Sequence, residues 1–389
     1  MGGITKLMIT ERYDVIVVGA GGMGSAALYH LARRGVRVCA VERFGIAHDR
    51  GSSHGDTRII RKAYMEHPDY VPLLHRAYEL WEELEAEGAG ELFARVGLLV
   101  AGDPNAEAMQ GQAACYQEHD LPHEQLDAAA IAARYPSLAF PEEWNGFYDP
   151  LGGFLRVEDC VRQHVALAQK HGAKLYTGET MLSWRREGEG VVVETERRRL
   201  LATRLVLATG AWAVPELCRL GVEACVVRKV LLWYQGRGVE QYARGAFPCF
   251  FIADGERYFY GFPAEAPWGL KLAEHNVSHD PVADPLQLNR ALTDGDQPCV
   301  LDFIARFFPA LQPELSKYAV CMYSLTPDKN FVLDIHPECP AVVLGAGFSG
   351  HGFKFSPVVG EILAELALEG DTQHPIEFLR LSRFAQRRS

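Results

Sequence analysis

Three glycines, Gly19, Gly21 and Gly24, stand as G-x-G-x-x-G directly behind the apolar run YDVIVV at 13–18. Each has a separate physical task. Gly19 permits a tight turn, Gly21 removes a Cβ so that a pyrophosphate can approach, and Gly24 lets a helix pack closely on the strand. The helix that opens here offers free N–H groups and the positive end of its dipole to an anion. Glu42, with Arg43 beside it, lies at the distance expected for the acid that binds a ribose hydroxyl. This constellation predicts a dinucleotide site but does not separate NAD from FAD. A second glycine-rich strand end, GAGFSG at 345–350, favours FAD, because a long extended cofactor needs backbone contacts from a distant segment.

Elements that would position these residues follow from periodicity. Residues 13–18, 25–34 and 36–42 read as one strand-helix-strand unit, with Gly35 stopping the helix. A helix is expected from Tyr70 to Glu87 and a strand from Val96 to Ala101. Residues 104–140 are polar and helical in tone, and 149–154 is a turn cluster. Another helix is expected over 157–171, strands over 174–201 and 205–208, and a β-rich aromatic region over 224–260. Residues 285–308 read as helical. The last helix carries Phe355, Val358, Val359, Ile362, Leu363 and Leu366 on one apolar face.

A chain of 389 residues suits two domains. The formal net charge of −11 argues against a nucleic-acid surface. No stretch reaches the ~18 apolar residues of a membrane span, and the polar start MGGITKLMITER is expected not to be a signal peptide. Nine scattered cysteines show no metal-binding spacing. A reduced, cytoplasmic protein without a metal is expected.

From Gly51 to Tyr64 the sequence GSSHGDTRIIRKAY resembles the monomeric sarcosine oxidase family, whose members include N-methyltryptophan and pipecolate oxidases. The likeness resumes at YGFP (260–263), GLKLAEH (269–275), CMYSLTPDKNFVLD (321–334) and GAGFSGHGFKF (345–355), in the same order along the chain. It implies an α/β fold, α+β overall: a Rossmann-type FAD-binding domain and a substrate domain on a mainly antiparallel sheet. The expected limits are 1–92, 153–223 and 320–389 for the first, and 93–152 and 224–319 for the second.

The resemblance also implies roles. Cys321 would carry FAD through its sulfur, at the flavin 8α-methyl. Arg61 and Lys354 would clamp a substrate carboxylate, although an ion pair with Glu66 is an alternative use of Arg61. Lys271 would assist O₂ near flavin N5. Arg58 would lie beside the ring, with Thr57 near the ring or the phosphates. His275 and Tyr323 would line the substrate pocket, with Tyr260 and Phe251 in its wall. Gly210, Gly347, Gly350 and His351 would contact the cofactor. The partners would be a small amino acid and O₂, with neither nucleic acid nor membrane, and the chain would act as a monomer.

The expected activity is oxidation of a small N-methyl amino acid, with sarcosine ahead of N-methyl-L-tryptophan and L-pipecolate. KVLLWYQ (229–235) leans toward the tryptophan-derived substrate and FPCF (247–250) toward pipecolate. A flavin dehydrogenase with another acceptor, an NAD-dependent dehydrogenase and a non-catalytic FAD-binding module are the competing readings.

Overall fold

The computed structural model describes residues 9–64, 66–88, 90–276 and 280–388. The N-terminal segment read as no leader, and residues 1–8 and 389 of the expected domain limits, fall largely outside that set. Among the described residues the strands form three sheets.

The first sheet has a parallel centre. Ile9–Val18 lies between Val38–Glu42 and Arg198–Leu207, and the far end of Arg198–Leu207 pairs in parallel with Val342–Ala346. Their central stretches, 15–18, 38–42, 205–207 and 342–346, are buried on both faces, which explains their nearly continuous apolar sequence. Helix Gly22–Arg33 packs against both Val157–Lys170 and Ser356–Glu369, and Tyr70–Glu87 packs against the latter. An antiparallel hairpin, Met181–Glu187 with Gly190–Thr195, extends one edge.

The second sheet is antiparallel except where Cys249–Asp254 runs parallel to Leu98–Gly102. Cys225–Gln235 pairs with Glu314–Leu325 along nearly its full length. That strand is continuous, so the expected limit at 319/320 falls inside it, and Cys321 belongs to the antiparallel sheet. A third, small sheet joins Thr57–Ile60 and Phe93–Ala94 to Gly153–Arg156.

Two helical expectations need correction. Residues 104–140 contain helices Glu107–Glu118 and Ala128–Arg134, but the strand Glu124–Asp127 lies between them. Within 285–308 the α-helix is Pro298–Phe307 alone, preceded by a short 3₁₀ turn at Pro285–Gln287. The intervening carbonyls are drawn elsewhere. Arg228 donates to Asn289 O, to Ala291 O and to both carboxylate oxygens of Asp296, which holds that stretch as a loop.

Candidate functional site

The glycine turn is built as its spacing requires. Gly19 has φ +90°. A Cβ on Gly24 would fall on the Gly19 carbonyl, so helix and strand touch backbone to backbone. A Cβ on Gly21 would instead meet only Ser53 Oγ, at 3.6 Å, so its flank is open. Gly21 caps helix Gly22–Arg33 without any side-chain hydrogen bond. Glu42 ends its strand and accepts from the backbone N–H of Ala20 and Phe44, at 2.8 and 2.9 Å. Its carboxylate thereby ties the glycine turn to the end of strand Val38–Glu42.

From this turn a cavity of about 430 Å³ runs into the antiparallel sheet. At one end lie Gly19, Gly21, Glu42, Arg43 and Gly210. At the other lie Arg58, Arg61, Cys321 and Lys354, with Phe251, Tyr260, His275 and Tyr323 as an aromatic wall. Gly347, Gly350 and His351 line it between strand Val342–Ala346 and the last helix. Residues over 300 positions apart in sequence thus share one space.

Three expected site residues lie outside this lining. Gly24 is a packing glycine, in keeping with its reading. Thr57 and Lys271, placed by the resemblance at the ring, form a layer behind it. Lys271 Nζ donates to Gly55 O, Thr57 O and Thr57 Oγ1 at 2.6, 2.9 and 3.1 Å. Two carbonyls and a hydroxyl satisfy either state of the lysine. An ammonium donates three bonds, whereas an amine donates two and accepts from the hydroxyl. Burial and the Arg58 charge push Lys271 well below the usual lysine range.

The cationic end is more structured than its sequence suggested. Arg61, 4% exposed, uses Nη1 for Ala63 O and Gln112 Oε1, at 3.1 and 2.7 Å. Its Nη2 meets both Glu66 oxygens at 3.0 and 3.1 Å. The ion pair with Glu66 therefore exists, and it exists inside the cavity, because Glu66 also lines it. Burial pushes the Glu66 carboxyl up, but the Arg61 charge prevails and holds it below its usual range. Lys354 donates to His351 O at 2.8 Å and faces the Tyr64 hydroxyl at 3.5 Å. Burial first, and Arg61 second, lower it to about 7. Tyr64 also bonds His351 Nδ1.

Cys321 is buried, with Sγ 3.6 Å from Arg58 Nη2 and 3.6 Å from Ser52 O. Arg58 is itself fixed by Thr57 O and Ser52 O at 2.8 and 2.9 Å. Beside it, the His275 ring faces Tyr323, Tyr260 and Phe251 at centroid separations of 5.6, 6.0 and 6.4 Å. Burial, then the Lys229 charge, lower His275 to about 3, so it is neutral near pH 7. Phe251 also lies 5.6 Å from the Arg61 guanidinium and caps the clamp.

The FAD dependent oxidoreductase family model matches residues 14–366. The chain belongs to this family. Its relatives include the monomeric sarcosine oxidase of Streptomyces avermitilis, 42% identical over 95% of this chain and 97% of that protein. The N-methyl-L-tryptophan oxidase of Citrobacter koseri is 34% identical over 96% of this chain and all of that protein. Among solved structures, an unusual amino acid oxidase essential for nikkomycin biosynthesis superposes with TM-score 0.83 at 28% identity, covering 95% of this chain and 97% of that one. Glycine oxidase from Geobacillus kaustophilus shares the fold, with TM-score 0.80 at 23% identity over 96% and 99% of the two chains.

In this FAD-dependent oxidoreductase the residues present fit the dinucleotide. Gly21 leaves its flank open, and Trp212 Nε1 is buried without a partner among the described residues while Trp212 lines the cavity. An unpaired N–H on a side chain that lines the cavity is free to donate to an acceptor placed there. Sequence reading missed Trp212, as well as Ser53, whose Oγ accepts from Gly22 N at 3.0 Å, and Gln112. Ser53 lies within the quoted GSSHG. Trp212 follows Gly210 in TGAW, and neither motif spacing nor burial pattern set it apart.

Proposed function

We propose that the chain oxidises the C–N bond of a small N-methyl amino acid, sarcosine first, using FAD attached at Cys321. For sarcosine the reaction takes up O₂ and water and yields glycine, formaldehyde and hydrogen peroxide. The observation that carries this reading is a shared cavity. Cys321, two buried cations and an aromatic box meet at one end of a space whose other end is the glycine turn.

The bound flavin would supply the hydride acceptor at N5 and the electrons that reduce O₂. The protein's part is positioning and charge. Gly19, Gly21 and the helix start would hold the pyrophosphate, and Glu42 the ribose. Arg61 and Lys354 would fix the substrate carboxylate, Arg61 through the N–H groups of Nη2 that now hold Glu66. The carboxylate would replace Glu66 at Nη2, one anion for another. His275, neutral, can accept a hydrogen bond from the amine N–H and leave the nitrogen lone pair available. Phe251, packed beside the clamp, limits the room for a side chain and favours small substrates. Arg58 would face the ring and supply positive charge where superoxide forms, joined from behind by Lys271 in its ammonium form.

The sulfur linkage is supported by Cys321 lying in the cavity with Arg58 against Sγ. Acid precipitation of the holoprotein should leave the yellow colour in the pellet, and Cys321→Ser should release it to the supernatant. Covalent flavin retained by Cys321→Ser would refute this linkage. A coupled peroxidase assay should show peroxide with sarcosine above N-methyl-L-tryptophan and L-pipecolate. The reverse order would assign the larger substrate. No activity on any of them would favour a binding module. A monomer in the cytoplasm completes the reading, in keeping with nine cysteines of which none is joined to another in a disulfide and with no described helix long and apolar enough to cross a membrane.

A further inference from the structure

Helix Glu107–Glu118 belongs to the antiparallel-sheet half of the molecule and contributes nothing to the cavity lining. It nevertheless grips the segment that carries Arg61. Gln112 Oε1 accepts from Arg61 Nη1 at 2.7 Å, and one turn later Cys115 Sγ accepts from Tyr64 N at 3.0 Å. Tyr64 in turn faces Lys354. One helix thereby holds Arg61 directly and Lys354 through one intermediary.

Gln112 is fully buried, and apart from the Tyr116 hydroxyl one turn on, close enough for the amide to stabilise the phenolate though outside ideal hydrogen-bond geometry, its Nε2 meets no acceptor among the described residues. A buried amide whose N–H groups are poorly satisfied is unfavourable for folding, and an apolar residue of similar volume would pack there at less expense. Its orientation is fixed by chemistry, because a guanidinium only donates and the amide oxygen must face it. The contact also leaves the arginine charge intact. A glutamate in the same place would neutralise it. Nη1 is thus committed to Ala63 O and Gln112, while Nη2 alone carries the exchangeable anion, now Glu66.

We propose that Gln112 is a positioning residue for substrate recognition: a neutral pivot that fixes Arg61 Nη1 so that Nη2 can exchange Glu66 for a substrate carboxylate without the guanidinium moving or losing charge. This rests on the proposed reading of Arg61 as the carboxylate anchor.

The test uses the flavin-loaded protein, with propionate affinity by calorimetry, sarcosine kinetics and thermal melting. Gln112→Met keeps volume but cannot accept the bond as an amide does. It should weaken propionate and raise KM about tenfold or more, the loss expected for a hydrogen bond to a charged group, while kcat changes less than about threefold. Gln112→Glu keeps an acceptor and adds a charge. It should weaken propionate at least as much and should do so without a lower melting temperature. A merely structural glutamine predicts the opposite pattern, a lowered melting temperature with unchanged affinity. Parental affinity in both variants overturns the proposal. Arg61→Met separates the two claims. If it binds propionate like the parent, the anchor reading itself fails. If it loses binding while both Gln112 variants keep it, the anchor stands and the pivot is wrong.

Discussion

Arg61 and Lys354 are two buried basic groups lining one cavity, and they answer that proximity differently. Arginine keeps its charge and takes Glu66 as a partner. Lysine gives way, and burial with the Arg61 charge brings it to about 7. Below that pH the ammonium attracts a carboxylate, and above it the attraction fades. Affinity of the free protein for propionate should therefore fall as pH rises from 6 to 9. Lys354→Met should show weak binding with no such slope, and an unchanged slope would remove Lys354 from the clamp. Lys271 makes a separate prediction. Its three oxygen partners keep it fixed behind Arg58. Lys271→Met should slow reoxidation of the reduced flavin by O₂ about a hundredfold or more, the scale of one preorganised charge, with a smaller effect on anaerobic reduction. Stopped-flow traces of the two half-reactions decide it.

At the scale of elements, the site depends on strands arriving from two sheets at one place. Gly350, at φ +81°, lies against strand Glu314–Leu325, and a Cβ there would approach the Tyr323 ring to 2.5 Å. No side chain fits without moving Tyr323, and the left-handed backbone adds strain. Gly350→Ala should lower stability by about 1–3 kcal/mol and impair sarcosine turnover together. Melting and steady-state kinetics on one preparation check both. A variant with parental melting and activity would show that this turn has slack.

The whole molecule carries buried histidines as well as buried cations. His30, His54 and His164 are nearly sealed from water, and burial lowers them to about 4, 3 and 3. Unfolding returns each to about 6.5, so between pH 6.5 and these lower values the unfolded chain binds more protons. Stability is fully present above pH 6.5 and is lost as pH falls toward 4, at up to about 1.4 kcal/mol per pH unit for each such histidine. Melting temperature should drop steadily from pH 7 to 5. A flat profile would show that these rings reach solvent in the folded protein.

The strand-turn-helix at 13–34, the helix at 70–87 and the single-faced last helix were legible because local pattern sets them. A parallel strand is apolar throughout, a dinucleotide turn needs its glycines, and a helix repeats every 3.6 residues. The candidate site residues were picked out by motifs that resemble the family, and most of them line one cavity. Their layering was not legible. Thr57 and Lys271 sit behind the lining, Glu66 inside it and Gln112 beneath it, because strand pairing and the packing of helix Glu107–Glu118 fix those depths. The loop at 288–297 escaped for the same reason, since its carbonyls turn to Arg228 from a distant strand. Sequence by itself determined which chemistry the chain carries. Only tertiary structure decided which groups touch the cavity and which stand behind it, because depth in a fold is set by partners remote in the chain and leaves no period or spacing to read.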